Sequence, residues 1–204
     1  MLIGLDFDNT IVRYDRLFHR LADERGLLGE PVAVNKTAVR DYLRRIGREP
    51  DWTEMQGVGY GPRIADAEPF PGVKDFLAKC LAAGAEVRIV SHKTKHPYAG
   101  PPFDLHEAAH NFLTAHGFYD TAVTGLSPER VNLALTKRAK IDRIAELGCD
   151  VFVDDLTDIL AEPGFPAKTR KVLFDPADQF ADDPSYTRAK SWADVTAAVF
   201  GGPA

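Results

Sequence analysis

Hydrophobic and polar positions follow two different periods along the chain, and each change of period marks a new element. The first apolar run, Leu2-Ile3-Gly4-Leu5, is too short for a buried helix and suits a strand that is buried on both faces. Positions 17, 21 and 22, and then 39, 43 and 46, are apolar at helical spacing, and Asn35 is placed to cap the second helix. We therefore expect residues 15–66 to be mostly helical, with a hinge or loop at Gly57, Gly59, Gly61 and Pro62.

From Pro69 onwards, short apolar runs alternate with segments of helical spacing. The apolar runs predict strands at residues 86–90, 131–135, 151–153 and 171–174. Helical spacing predicts helices between Gly72 and Gly84, at 105–116, at 137–147, and around Trp192, Val195 and Val199. This alternation predicts an α/β, Rossmann-like fold of three layers, in which a parallel sheet carries helices on both faces.

Composition limits the classes of partner. The 204 residues carry a net charge of -5, with a pI near 5.7, so electrostatics give no support to binding of nucleic acid or of membrane surfaces. Cys80 and Cys149 are expected to be reduced thiols in the core. The first apolar run has no basic segment before it and is too short for a signal sequence or a membrane span, which favours a cytoplasmic location.

Polar side chains follow three of the predicted strands. Asp6 and Asp8 follow the first, Ser91, His92 and Lys93 follow the strand at 86–90, and Asp154 and Asp155 follow the strand at 151–153. The carboxyl ends of neighbouring parallel strands lie at the same edge of a sheet, where ligands bind, so these groups can meet in one crevice.

The acidic pairs suggest a metal ion. Two carboxylates as close as Asp6 and Asp8 repel each other when ionised, and a hard divalent ion such as Mg²⁺ removes this conflict because it takes oxygen ligands. The alternative interpretation is that each acidic pair caps a turn or a helix, and that Ser91 caps the turn that follows it.

Taken in order, the motifs resemble those of the haloacid dehalogenase-like hydrolase superfamily. Its phosphatases carry an Asp-x-Asp-x-Thr strand end, a Ser or Thr strand end, a Lys and a late acidic pair. The corresponding residues here are Asp6-Phe7-Asp8-Asn9-Thr10, Ser91, Lys140 and Asp154-Asp155. The resemblance implies a catalytic core formed by residues 1–14 and 67–204, and a small helical cap, residues 15–66, inserted after the first strand.

The resemblance also implies a role for each site residue. Asp6 would be the nucleophile that forms an aspartyl-phosphate, and Asp8 would act first as general acid and then as general base. The phosphoryl group would be bound by Asn9, Ser91, His92, Lys93 and Lys140, with Lys137 as the competing candidate for the site lysine. Mg²⁺ would be held by Asp6, the main-chain carbonyl of Asp8 and Asp155, with Asp154 or Asp158 in support.

The expected function is that of a Mg²⁺-dependent phosphomonoester hydrolase acting on a small phosphorylated metabolite. A phosphotransferase or mutase, and a phosphatase of nucleic-acid ends, remain alternatives within the same superfamily. A dehalogenase would need neither the acid Asp8 nor the metal ligand Asp155. A non-catalytic binding module that retains the fold is the alternative from a different class.

Overall fold

The computed structural model describes residues 1–201, which contain two sheets. The larger sheet has six strands in the order β5-β4-β1-β6-β7-β8, and every neighbouring pair is parallel. Its strands are β1 (Leu2–Leu5), β4 (Glu86–His92), β5 (Val131–Ala134), β6 (Val151–Asp154), β7 (Arg170–Phe174) and β8 (Thr187–Ala189). The smaller sheet pairs β2 (Val12–Arg13) with β3 (Glu68–Pro69).

Helices fill most of the segments between the strands. The α-helices are α1 (Asp15–Glu24), α2 (Lys36–Arg45), α3 (Glu49–Tyr60), α4 (Val73–Ala82), α5 (Leu105–Ala115), α6 (Thr121–Thr124), α7 (Lys137–Leu147), α8 (Thr157–Leu160) and α9 (Trp192–Phe200). Two 3₁₀ helices span Ile64–Asp66 and Pro128–Arg130. The predicted cap at Asn35 is present, because its side-chain oxygen accepts a hydrogen bond from the main-chain N–H of Ala38 at 3.0 Å.

The large sheet is covered on both faces. Leu173 of β7 belongs to a buried cluster with Ile141 and Ile144 of α7. Its neighbour Phe174 stacks instead on Trp192 of α9, with ring centroids 5.5 Å apart. Successive residues of a strand point to opposite faces, so α7 and α9 cover opposite sides of the sheet. The predicted three-layer α/β fold is confirmed.

One prediction about local structure was wrong, and one strand was not predicted. Gly57 and Gly59 do not form a hinge but lie buried within α3, whereas Gly61 and Pro62 follow the helix. The glycines are explained by packing: a Cβ on Gly59 would come within 2.9 Å of the Phe18 ring. The edge strand β8 was missed because Thr187-Arg188-Ala189 has no apolar run to reveal it.

The described chain forms two compact units. The first consists of Met1–Ile11, Pro69–Lys93 and Gly117 onwards, and it holds the six-stranded sheet. The second consists of Val12–Glu68 and Thr94–His116. This division differs from the predicted one, because Thr94–His116 groups with the helices that precede Pro69. The reason is that α5 packs against α3 and the 3₁₀ helix Ile64–Asp66.

The second unit has an aromatic core. Phe18 of α1 packs on Trp52 of α3, with ring centroids 4.9 Å apart, and on Tyr60 at 5.4 Å. Tyr14 packs edge-on against Tyr60 at 5.0 Å. The ammonium group of Lys36 lies 5.2–5.7 Å from the centroids of three of these rings, within the range of cation–π attraction.

Among residues 1–201, none of the helices combines the length and the apolar character needed to cross a membrane.

Candidate active site

The first unit brings Asp6 to the middle of the large sheet. β1 lies between β4 and β6, and Asp6 follows its last residue, where its main-chain N–H donates to the Val153 carbonyl at 2.9 Å. Leu5 lies opposite Val153 in the register, so Asp6 and Asp154 occupy the next level on neighbouring strands. Both side chains are buried, and parallel pairing is what holds them side by side.

Lys140 joins these two carboxylates. Its Nζ donates to Asp6 Oδ1 at 2.5 Å and to Asp154 Oδ2 at 2.6 Å, and only 1% of the residue is exposed. The lysine is delivered by α7, which begins after Thr136, whose hydroxyl accepts from the main-chain N–H of Ala139 at 3.1 Å. Lys137, the competing candidate, is half-exposed and lies 3.8 Å from Asp158 instead.

Burial and charge together shift the pKa values of Asp6 and Lys140. Burial raises the pKa of Asp6 from 3.8 to about 7, against the lowering effect of Lys140, and the charge of Asp154 raises it further. The pKa of Lys140 is also raised, because its two carboxylate neighbours outweigh the effect of burial. The two shifts have a common explanation. One ammonium group faces two carboxylates, so the arrangement stabilises the charged form of Lys140 more than the charged form of Asp6.

Asp155 completes a set of carboxylates that could hold a metal ion. One oxygen from each of Asp6, Asp154 and Asp155 lies within 4.8 Å of the others. An all-oxygen, anionic donor set suits a hard cation such as Mg²⁺. Asp8 is not in this set, so its predicted part as a ligand through the main-chain carbonyl stays a prediction. Asp158 is also outside it, with an 81% exposed side chain near Lys137.

The side chain of Asp8 is held by Lys93. Lys93 Nζ donates to Asp8 Oδ2 at 2.7 Å and to Oδ1 at 3.0 Å. Lys93 follows β4 directly, and its main-chain N–H donates to the Ala134 carbonyl at 2.8 Å, which fixes where the side chain starts. The sequence analysis placed Lys93 at the site but expected it to bind the phosphoryl group. Its pairing with Asp8 was not predicted, because 85 residues separate the two and no local spacing reveals the pair.

The remaining predicted residues lie at the same strand ends. Ser91 is buried in β4, two residues beyond Ile89, which pairs with Leu5 of β1. His92 ends β4, and burial together with the charge of Lys140 lowers its pKa. Asn9 has a φ of 58°, in the left-handed region that Asn tolerates better than most residues, so it turns the chain after Asp8. Whether these residues bind phosphate stays a prediction.

Comparison with known proteins rests on structure alone. No family model matches the sequence, and no curated protein matches it. A haloacid dehalogenase-family hydrolase from Deinococcus radiodurans R1, solved with bound phosphate and sodium, has a TM-score of 0.61 and 15% identity, covering 100% of this chain and 98% of that one. Protein tyrosine kinase A from Mycobacterium tuberculosis has a TM-score of 0.61 and 19% identity, covering 98% and 97%.

A predicted phosphoglycolate phosphatase from Haemophilus somnus 129pt has a TM-score of 0.51 and 15% identity, and the match covers 97% of each chain. Dehalogenases are also among the matched structures. At these identities the likeness concerns the fold, and at that level it confirms the resemblance that the motifs predicted. The chain has the fold of the haloacid dehalogenase-like hydrolases.

Proposed function

We propose that this protein is a Mg²⁺-dependent phosphomonoesterase that acts on a small phosphorylated metabolite through an aspartyl-phosphate on Asp6. The observation that carries the proposal is the buried cluster in which Lys140 bonds Asp6 and Asp154 while Asp155 lies beside them. Such a cluster supplies a nucleophilic carboxylate, a fixed positive charge and oxygen ligands at one sheet edge.

Asp6 has the position and chemistry of a nucleophile. One of its carboxylate oxygens attacks phosphorus, the bond from phosphorus to the ester oxygen breaks, and the phosphoryl group is left on Asp6. Lys140 holds Asp6 Oδ1 at 2.5 Å, which limits the rotation of the carboxylate. Its positive charge also offsets the negative charge that collects around the phosphoryl oxygens.

Asp8 moves the protons. It gives a proton to the leaving alkoxide in the first step, and as a carboxylate it takes a proton from the water that attacks the aspartyl-phosphate in the second. The bond from phosphorus to Asp6 then breaks, inorganic phosphate leaves, and Asp8 is protonated again. Ser91, buried at the neighbouring strand end, is proposed to donate its hydroxyl to a phosphoryl oxygen.

The donor set of Asp6, Asp154 and Asp155 fits Mg²⁺. When bound, the ion would neutralise charge between the anionic nucleophile and the anionic substrate. A positive charge next to Asp6 favours its ionised form, which matters because the pKa of about 7 leaves a substantial fraction of this carboxyl protonated at neutral pH.

The experiment measures release of phosphate from p-nitrophenyl phosphate with Mg²⁺ and with EDTA. We expect Asp6→Asn to abolish turnover and Asp8→Asn to lower kcat about 10²–10⁴-fold. Asp182→Asn is the matched control, because Asp182 is an exposed carboxylate paired with Arg188. This control should keep wild-type activity.

Other outcomes would point to other functions. Turnover that survives Asp6→Asn, or that ignores EDTA, would contradict the proposed mechanism. Halide release from a haloacid would indicate a dehalogenase, and transfer of the phosphoryl group to an added alcohol in preference to water would indicate a phosphotransferase. Inactivity of the wild type toward a broad panel of phosphate esters would favour a binding module.

A further inference from the structure

We infer that Lys93 is a positioning residue for Asp8, and that it holds the proposed acid and base in the orientation needed at the leaving-group oxygen. The inference rests on the proposed function, because it assigns Lys93 to one step of that reaction. It differs from the sequence-based expectation that Lys93 binds the substrate phosphate.

The contact between Lys93 and Asp8 is closely defined. Lys93 Nζ lies 2.7 Å from Asp8 Oδ2 and 3.0 Å from Oδ1, so the ammonium group faces both oxygens of the carboxylate. This contact limits the rotation of the carboxylate about its terminal bond. When Asp8 carries its proton, Lys93 bonds the unprotonated oxygen and the other oxygen holds the proton for the leaving group. The Lys93 side chain is only 3% exposed, whereas that of Asp8 is 23% exposed. The lysine is therefore enclosed by the protein, whereas the carboxylate of Asp8 is partly exposed.

The surroundings of Lys93 fix its ammonium group. Its main-chain N–H is bonded to Ala134 of β5, and Nζ lies 5.4 Å from the centre of the Phe7 ring. Burial along the aliphatic stem leaves the long side chain few rotamers. A lysine immobilised in this way orders its partner at a small entropic cost, since most of its freedom is already lost in the folded protein.

The two buried lysines at this sheet edge form hydrogen bonds with different carboxylates. Lys140 bonds Asp6 and Asp154, and Lys93 bonds Asp8. In the proposed reaction these correspond to the nucleophile and to the proton donor. Each of these two carboxylates thus has its own buried lysine, one from α7 and one directly after β4.

The test compares two substrates, p-nitrophenyl phosphate and phenyl phosphate, whose leaving groups depend to different extents on a proton donor. p-Nitrophenolate is a good leaving group and departs without protonation, whereas phenolate is poorer and gains more from general acid catalysis. The quantity to measure is the ratio of kcat/KM for p-nitrophenyl phosphate to that for phenyl phosphate. This ratio does not depend on the fraction of folded enzyme, so a loss of stability in a variant does not affect it.

We expect Lys93→Met to raise this ratio about 10-fold, in the same direction as Asp8→Asn. In the Asp8→Asn background, Lys93→Met should leave the ratio unchanged, because the carboxylic acid that it positions is already gone. Lys93→Arg should fall between the wild type and Lys93→Met. The matched control is Lys190→Met, which removes another lysine–aspartate pair of the same unit, 2.8 Å from Asp178, and should leave the ratio at the wild-type value.

The outcomes separate the two proposals. A Lys93→Met enzyme that loses activity equally on both substrates, or that adds a further change in ratio to Asp8→Asn, would overturn the positioning role while leaving the phosphatase intact. A phosphate-binding role would show as such an equal loss, with a raised KM for both esters. A wild type that hydrolyses neither these two esters nor any member of a broad panel of phosphate esters would overturn the proposed function, and the inference would fall with it.

Discussion

At the scale of single residues, one buried lysine resolves an electrostatic conflict. Asp6 and Asp154 lie side by side at the ends of neighbouring strands, with 5% and 0% of their surfaces exposed. Two ionised carboxylates in such a place would repel each other and lack solvation. Lys140 bonds both, so its charge offsets part of the repulsion, while burial and the charge of Asp154 still raise the pKa of Asp6.

Removal of this lysine should therefore destabilise the fold. We expect Lys140→Met to lower the free energy of unfolding by about 3–5 kcal/mol, because two buried carboxylates would be left without their cation. Lys137→Met, which removes a half-exposed lysine, should cost about 0–1 kcal/mol. Urea unfolding of the three proteins in EDTA measures both values.

The loss caused by Lys140→Met should depend on pH with a defined sign. The pKa of Asp6 is about 7 in the folded protein and about 3.9 in an unfolded chain, and removal of Lys140 raises the folded value further. A carboxyl whose folded pKa is raised binds its proton more tightly when folded, so stability falls as pH rises toward that folded value. The wild type loses this stability up to about pH 7 and the variant up to a higher pH, so the penalty of Lys140→Met relative to the wild type should grow as pH rises above about 7. A penalty that grows toward acidic pH would contradict this account.

At the scale of elements, α3 shows how tertiary packing can use a residue that disfavours helices. Gly57 lies in the interior of α3, where alanine is ordinarily more stable by about 1 kcal/mol. A Cβ added there would come within 2.9 Å of the Ala99 carbonyl oxygen and 3.0 Å of Pro97 Cβ. The segment that begins at Thr94 thus approaches the backbone of α3 so closely that a side chain has no room.

This packing reverses the usual effect of a Gly to Ala change. We expect Gly57→Ala to destabilise the protein by about 1–3 kcal/mol, because the carbonyl of Ala99 is main chain and cannot move alone. Glu54→Ala, at an exposed position of the same helix, should stay within about 0.5 kcal/mol of the wild type. Thermal or urea unfolding measures the stability of both variants. A Gly57→Ala protein that is more stable than the wild type would show that the segment beginning at Thr94 does not pack against α3 as described.

At the scale of the whole molecule, a metal ion would link separate parts of the chain. Asp6 follows β1, while Asp154 and Asp155 lie about 150 positions later, at the end of β6 and directly after it. An unfolded chain does not hold these carboxylates together, so Mg²⁺ should bind the folded state preferentially. Binding of this kind raises stability by mass action.

Mg²⁺ should therefore raise the free energy of unfolding by about 2.7 kcal/mol at a concentration 100 times the Kd. Asp155→Asn should reduce this gain by weakening the site, whereas Asp182→Asn, at an exposed carboxylate outside it, should preserve the gain. Unfolding curves in Mg²⁺ and in EDTA provide the measurement, which requires no substrate. An equal gain in wild type and Asp155→Asn would exclude Asp155 as a ligand.

The sequence by itself determined the α/β class, five strands of the large sheet and the set of polar residues at or directly after their ends. These features are local, because apolar runs define buried strands and polar residues mark the approximate positions of their ends. Edge strand β8, the buried glycines of α3 and the grouping of Thr94–His116 with the helices that precede Pro69 were decided by tertiary structure, because each depends on neighbours distant in sequence.

The partners of the site residues were likewise decided only in three dimensions. Spacing along the chain offered both Lys137 and Lys140, and the direction in which α7 presents its side chains places Lys140 on Asp6 and Asp154. Spacing along the chain also does not link Lys93 to Asp8, which is 85 residues away. The two residues meet because β1 pairs in parallel with β4, which brings the ends of these strands together. Residue type and order encode which groups are available, whereas the register of the sheet and the burial of its edge decide which of them meet.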